Sequence, residues 1–121
     1  SKQRLTVESL SQGVLKSRKG INIPELKLHQ SVLTDKDKDD IRFGISNNVD
    51  FIAQSFVRNK NDIIQIKRIV KAQASEIKLI AKIENRQGIR NIDNIIDECD
   101  GIMIARGDLG VSLPMYKIPI I

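Results

Sequence analysis

Aromatic side chains are scarce in this sequence, which has three Phe, one Tyr and no Trp among 121 residues. That scarcity argues against the stacking platforms that bind single-stranded nucleic acid. The one cysteine, Cys99, excludes an internal disulfide and a cysteine-rich metal site. No apolar run approaches the ~18–20 residues of a membrane span, and residues 1–4 lead into no signal-peptide core. We therefore expect a cytoplasmic protein that binds neither nucleic acid nor membrane.

The formal net charge of +5 is unevenly distributed along the chain. Residues 1–30 contain six Lys or Arg and two Glu, whereas the remainder carries fourteen basic and thirteen acidic residues. The basic excess centres on Lys16, Arg18 and Lys19, and such a cluster could bind phosphate groups. A solvated surface run is the favoured explanation on local evidence alone. A basic binding module is therefore one hypothesis, although the near-balanced charge after residue 30 disfavours it.

The main signal is an alternation of short apolar runs with amphipathic stretches. Strands are predicted at 49–56, 77–83 and 101–105. Helices are predicted over 59–74, with apolar residues at 63, 66, 69 and 70, and over 88–99, with a stripe at 89, 92, 95, 96 and 99. This order indicates an α/β protein whose parallel sheet is covered by helices. Either a partial TIM barrel or a doubly wound sheet fits, and the missing GxGxxG motif weakens the dinucleotide-binding form of the latter.

Before the first strand, the pattern is different. Residues 5–16 alternate loosely and suggest a β-hairpin remnant, and residues 20–33, which include His29, suggest an extended linker. His29 has no second His or Cys nearby, so we expect a surface histidine. Thr34 with Asp37 three residues later forms a capping-box pattern that predicts the start of another helix.

Two charged residues, Lys82 and Glu84, lie at the carboxyl end of the second predicted strand. The pleat places Lys82 and Glu84 on one face, and Leu79, Ala81 and Ile83 on the other. In parallel α/β sheets, ligands bind at the carboxyl ends of the strands, where this pair is predicted to lie. A buried lysine and glutamate must pair with each other or with a ligand. A structural ion pair and a catalytic pair are both compatible with this pattern.

The third strand is followed by Arg106-Gly107-Asp108-Leu109-Gly110. Gly107 and Gly110 allow tight turns and close approach of a ligand to the backbone. Asp108 is predicted to lie at the same end of the sheet as Glu84. Two carboxylates there suit Mg²⁺, which keeps several waters and takes oxygen ligands from substrate phosphate. A simple turn-forming role for Asp108, before a residue in the left-handed conformation, remains an alternative.

The sequences Lys-Ile-Glu-Asn at 82–85 and Ala-Arg-Gly-Asp-Leu-Gly at 105–110 resemble the active-site motifs of the pyruvate kinase family. Segments 19–24, 33–41 and 49–58 resemble other parts of that family, in the same order and spacing. The resemblance covers nearly the whole chain. It implies a partial TIM (β/α)8 barrel of about three βα units, at residues 21–121. It also implies a short β remnant of an inserted capping domain at residues 1–20.

The resemblance further implies phosphoryl transfer from phosphoenolpyruvate to ADP, giving pyruvate and ATP in glycolysis, with Mg²⁺ or Mn²⁺ and K⁺. Lys82 would stabilise the transferring phosphoryl group, and Glu84 and Asp108 would bind the divalent metal. The implied substrate-binding residues are Lys82, Ala105, Arg106, Gly107 and Asp108. Ser55 and Arg58 match residues near the active site and receive no assigned role.

Some family features lie outside this chain, including the K⁺ ligands, the phosphate-binding arginine and part of the nucleotide site. We therefore expect a fragment that is inactive alone and prone to self-association, from a parent enzyme that is a homotetramer. Ser112 stands where the family usually has an acidic residue. A Mg²⁺-dependent aldolase or lyase of the phosphoenolpyruvate/pyruvate barrel type is the alternative enzyme, and ADP dependence separates the two.

Overall fold

The computed structural model describes residues 6–14, 16–18, 33–73 and 76–120. Three strands alternate with five α-helices and a final 3₁₀ helix in this part of the chain. The elements are α1 (Asp35–Ser46), β1 (Phe51–Gln54), α2 (Lys60–Ala72), β2 (Lys78–Ile83), α3 (Arg86–Arg90), α4 (Ile92–Ile96), β3 (Gly101–Ile104), α5 (Arg106–Ser112) and the 3₁₀ helix (Met115–Ile120).

The two long helices each begin with a reciprocal capping box. At α1 the Thr34 hydroxyl accepts from the Asp37 N–H, and the Asp37 carboxylate accepts from the Thr34 N–H at 2.7 Å. The Thr34 hydroxyl also donates to the Asp37 carboxylate at 2.7 Å, and this hydrogen bond, together with the one from the Thr34 N–H, lowers the pKa of Asp37. Asn59 and Asp62 form the equivalent box at α2. The first box confirms the helix start predicted from sequence, and the second was not recognised there.

The strands form a parallel sheet in the order β1-β2-β3, which confirms the fold pattern predicted from the alternation. In the register, Ala53 pairs with Ile80, and Lys82 pairs with Met103. The strand predicted at 49–56 is shorter, because the backbone turns after Gln54 to form part of the site described below.

One face of the sheet is buried beneath the helices. Leu79, Ala81 and Ile83 of β2 are at most 3% exposed, which confirms the face predicted for them. They pack with the apolar side of α2, where Ile63 and Ile66 are almost fully buried. Burial of this apolar surface is the main force that fixes the helices on the sheet.

The single helix predicted over 88–99 is wrong in detail, because the chain forms α3 and α4 with a break at Asn91. The Asn91 backbone departs from helical geometry (φ −108°, ψ 14°), and its side chain donates to the Arg58 carbonyl at 2.8 Å. Ile96, predicted on the apolar stripe, is 47% exposed. Cys99 is partly buried, and this burial raises the pKa of its thiol, as expected of an unreactive cysteine.

The structure describes only some of the residues for which N-terminal predictions were made. Residues 6–14 and 16–18 are exposed and contain no strand, so the predicted hairpin is absent from the residues described there. The predicted linker, including His29, lies outside the described residues except for the buried Leu33. Among the described helices, none has both the length and the apolar character required to cross a membrane.

The second face of the sheet is poorly covered by the described residues. Phe51 and Met103, which lie on the same face as Lys82 by register, are 63% and 48% exposed. Strands β1 and β3 are the outer strands of the sheet, so each has one edge that pairs with no other strand among the described residues. Exposed apolar surface and unpaired strand edges both favour association between chains.

We predict that the isolated 121-residue chain self-associates through this open sheet. Sedimentation velocity over a hundredfold concentration range should show a rising weight-average mass. Replacing exposed Phe51 and Met103 with Ser should reduce the association, whereas replacing exposed Tyr116 of the 3₁₀ helix should not. A monomer at every concentration would contradict the prediction.

The start of β3 is held to β2 by Asp100. Its carboxylate accepts from the Leu79 N–H at 2.8 Å, and its own N–H donates to the Leu79 carbonyl at 2.8 Å. The backbone hydrogen bond lowers the pKa of Asp100, with a further contribution from Lys78. The anionic form is therefore favoured by folding, and its contribution is lost as pH falls below the unfolded value of about 3.9.

Asp100→Ala should lower the free energy of unfolding by about 0.5–1.5 kcal/mol at pH 7, since it removes this hydrogen bond. The exposed ion pair with Lys78 adds little. Urea unfolding at several pH values should show that the difference in free energy of unfolding between wild type and variant becomes smaller below pH 4. Asp97→Ala, at an exposed carboxylate of the same turn, is the matched control. An equal difference in free energy of unfolding at pH 7 and pH 3 would argue against a role for the negative charge of Asp100.

Candidate active site at the carboxyl ends of the strands

The carboxyl ends of the three strands meet at one edge of the sheet. The Val57 N–H donates to the Lys82 carbonyl at 3.3 Å, which joins the residues after β1 to the end of β2. The Ala105 N–H donates to the Ile83 carbonyl at 3.1 Å and joins the end of β3 to β2. The motifs singled out in the sequence therefore lie on adjacent strand ends.

Lys82 and Glu84 form an ion pair, with 2.7 Å between Lys82 Nζ and Glu84 Oε1. The glutamate is 2% exposed and the lysine side chain is 27% exposed. A buried carboxylate without a partner would be strongly destabilising. The structure thus shows that the two charges meet, in a pair whose glutamate is buried and whose lysine side chain is partly exposed.

The second oxygen of Glu84 is held by the backbone of the turn after β1. The Phe56 N–H donates to Glu84 Oε2 at 2.7 Å. Phe56 adopts the left-handed conformation, with φ 55°, which is uncommon for a bulky residue and is typical of functional turns. Both oxygens of the buried carboxylate therefore have a defined partner.

Ser55, which the sequence resemblance placed near the site without a role, contacts Lys82 directly. The lysine Nζ donates to the Ser55 hydroxyl at 2.8 Å. Arg58, the other residue placed near the site, pairs with Asp62 instead. Its guanidinium forms an ion pair with the Asp62 carboxylate, with 3.4 Å between Nε and Oδ2, and its backbone N–H donates to the same carboxylate. Asp62 is 3% exposed and forms part of the α2 cap, so this contact anchors the β1–α2 connection.

Three residues to which the sequence analysis gave no role hold the same connection from the other side. The Asn85 amide donates to the Val57 carbonyl at 3.1 Å and accepts from the Gly88 N–H at 2.8 Å. A Cβ on Gly88 would lie 2.6 Å from the Val57 carbonyl oxygen, so only glycine fits there. Asn91 binds the next carbonyl, that of Arg58. Asn85, between the predicted strand at 77–83 and the predicted helix at 88–99, was the available signal, since Asn is a preferred helix N-cap residue.

The glycine-rich segment after β3 forms a helix and not the tight turn expected from sequence. Helix α5 begins at Arg106, and none of the described glycines has a positive φ. Leu109 is fully buried and its N–H donates to the Ala105 carbonyl at 3.0 Å, so packing and backbone bonding favour the helix. The alternative role of Asp108, before a left-handed residue, is therefore wrong.

Arg106, Gly107 and Asp108 are exposed in the first turn of α5, directly after the end of β3. Ser112, at the end of this helix, is 8% exposed, and its backbone carbonyl accepts from the Arg86 guanidinium. The contact to Arg86 uses the main chain of residue 112. It therefore does not depend on the side chain at this position.

No group of three or more His, Cys, Asp or Glu that could hold a metal ion occurs within the described ranges. The two carboxylates that the sequence resemblance assigned to a metal are Glu84, after β2, and Asp108, in the first turn of α5 after β3. That small all-oxygen donor set fits Mg²⁺, which retains waters and shares ligands with substrate, better than metals that need three or four protein ligands.

The fold and site place this chain among α/β proteins with a charged site at the carboxyl edge of a parallel sheet. The family model "Pyruvate kinase, barrel domain" matches residues 1–121. A pyruvate kinase of Staphylococcus epidermidis is 47% identical over 120 residues, which is 99% of this chain and 20% of that protein. A pyruvate kinase of Staphylococcus aureus is 45% identical over 121 residues, which is 100% of this chain and 21% of that protein.

This chain belongs to the pyruvate kinase family. It spans about a fifth of the length of the curated relatives it matches. The family relationship confirms the resemblance inferred from the motifs at 82–85 and 105–110.

Gly88→Ala should destabilise the chain by about 1–3 kcal/mol, because the new methyl group overlaps the Val57 carbonyl and forces the two segments apart. Urea unfolding would measure the change. Gly107→Ala is the matched control, since a Cβ there meets nothing within 4 Å and alanine favours a helix. Equal stability of the two variants would contradict the close approach at Gly88.

Proposed function

We propose that the full-length protein containing this chain transfers a phosphoryl group from phosphoenolpyruvate to ADP, yielding pyruvate and ATP. The observation that supports this most strongly is the Lys82–Glu84 pair at the carboxyl edge of the sheet, in a chain of the pyruvate kinase family. The reaction belongs to glycolysis, so the proposal includes a cytoplasmic location.

Lys82 is proposed to stabilise the phosphoryl group during transfer. Its side chain is partly exposed, and its ammonium group contacts both Glu84 and Ser55. A preorganised positive charge stabilises the developing negative charge of a transition state without having to reorganise during the reaction. The fixed ammonium group at the strand end fits that task.

Glu84 and Asp108 are proposed as the protein ligands of Mg²⁺ or Mn²⁺. Such a cation, when bound, neutralises charge on the phosphoryl and enolate oxygens. Glu84 is oriented by the Phe56 N–H, while Asp108 lies exposed in the first turn of α5. The segment Ala105, Arg106, Gly107 and Asp108 is proposed to bind substrate, with the backbone of the first three at the substrate carboxylate.

Other parts of the proposed enzyme lie outside this chain. We propose that residues 1–20 end the inserted capping domain and that residues 21–121 form part of the catalytic barrel. The expected K⁺ ligands and part of the nucleotide site belong to other segments, so this chain alone is proposed to be inactive. The parent enzyme is proposed to be a homotetramer.

Lys82→Met in the full-length protein should lower kcat by about 10²–10³-fold, because it removes the charge that stabilises the transition state. The assay is pyruvate formation from phosphoenolpyruvate with Mg²⁺, with and without ADP. Lys36→Met, at an exposed lysine that pairs with Asp40 on α1, is the matched control and should retain wild-type activity.

ADP-dependent activity that is lost in Lys82→Met supports both the reaction and the role of the lysine. Pyruvate formation without ADP would contradict the kinase and indicate a lyase-type reaction. Full activity of Lys82→Met would contradict the role assigned to the lysine.

A further inference from the structure

Ser55 lies beside Lys82 because of the register of β1 on β2. Gln54 pairs with Ala81, so continuing the register by one residue brings Ser55 opposite Lys82. The pleat of β2 puts the Lys82 side chain on the face away from the apolar core, and the turn after β1 brings the Ser55 side chain to it. The hydroxyl then accepts from the lysine Nζ at 2.8 Å.

The two partners of the ammonium group differ in charge. Glu84 Oε1, at 2.7 Å, is anionic and offsets the positive charge of the lysine. The Ser55 hydroxyl is neutral, so it fixes the position of Nζ without reducing its charge. A lysine that must act on a phosphoryl group needs both a fixed position and an uncompensated charge.

Both carboxylate oxygens of Glu84 already have a partner before any cation binds. Oε2 accepts from the Phe56 N–H and Oε1 accepts from Lys82. A divalent cation bound to this carboxylate would repel the ammonium group, because two cations would share one anion at short range. The lysine would then depend on its neutral partner.

We propose that Ser55 is a positioning residue that holds the Lys82 ammonium group at the end of β2 when a divalent cation binds Glu84. This role rests on the proposed function, because it requires that Glu84 bind a cation and that Lys82 act on substrate. The hydroxyl is the feature that matters, so threonine should replace serine and alanine should not.

The kinetic test uses the full-length enzyme with Ser55→Ala and Ser55→Thr. Ser55→Ala should lower kcat about 10- to 100-fold, as expected for a misplaced catalytic group. The KM for phosphoenolpyruvate should change less, because the lysine matters most in the transition state. Ser55→Thr should stay within about threefold of wild type, since it keeps the hydroxyl. Ser46→Ala, which removes an exposed hydroxyl at the end of α1, is the control expected to be neutral.

A second readout is calorimetric binding of Mg²⁺ to the same proteins without substrate. In Ser55→Ala, the displaced lysine has lost its neutral partner, so Mg²⁺ should bind about threefold to tenfold more weakly. Lys82→Met should bind Mg²⁺ at least as tightly as wild type, because no ammonium group competes for Glu84. Adding Ser55→Ala to Lys82→Met should then have no further effect on Mg²⁺ binding.

The outcomes separate this inference from the proposed function. If Lys82→Met is inactive while Ser55→Ala keeps wild-type kcat and Mg²⁺ affinity, the positioning role is overturned and the proposed function stands. The positioning role is also overturned if Ser55→Ala weakens Mg²⁺ binding equally in the Lys82→Met background. Full activity of Lys82→Met overturns the positioning role together with the role assigned to the lysine, whereas the proposed reaction is overturned by pyruvate formation without ADP.

Discussion

The buried carboxylate of Glu84 is the constraint on which the site depends. Removing a carboxylate from water costs several kcal/mol unless its oxygens are paired. One partner, Lys82, comes from the same strand, and the other, the Phe56 N–H, comes from the turn after β1. The site can therefore form only when β1 and β2 are paired in the observed register, and that pairing depends on the apolar face packed against α2.

The turn after β1 connects this packing to the proposed chemistry. Its side toward the sheet carries Ser55 and the Phe56 N–H, which contact Lys82 and Glu84. Its other side is held through backbone carbonyls by Asn85 and Asn91. The break between α3 and α4 belongs to this arrangement, since Asn91 leaves helical geometry where its side chain reaches the turn.

In the part of the chain that the structure describes, the sheet is open on one face and at both outer strands, and the chain covers about a fifth of the length of its relatives. Strands β1 to β3 nevertheless bring the two recognised motifs together at one edge, since consecutive parallel strands end on the same side. The chain thus has its own local site geometry, while the proposed reaction also draws on groups from the rest of the enzyme.

Much of this protein is determined by the sequence itself: the order of strands and helices, the buried face of β2, the α1 cap and the meeting of Lys82 with Glu84. These follow from residue spacing, because pleat, helical periodicity and capping are local. Tertiary structure decided the break at Asn91, the helical backbone of α5, the left-handed Phe56 and the contact of Ser55 with Lys82. Each of these depends on packing or hydrogen bonds between neighbouring elements, which local sequence patterns do not encode.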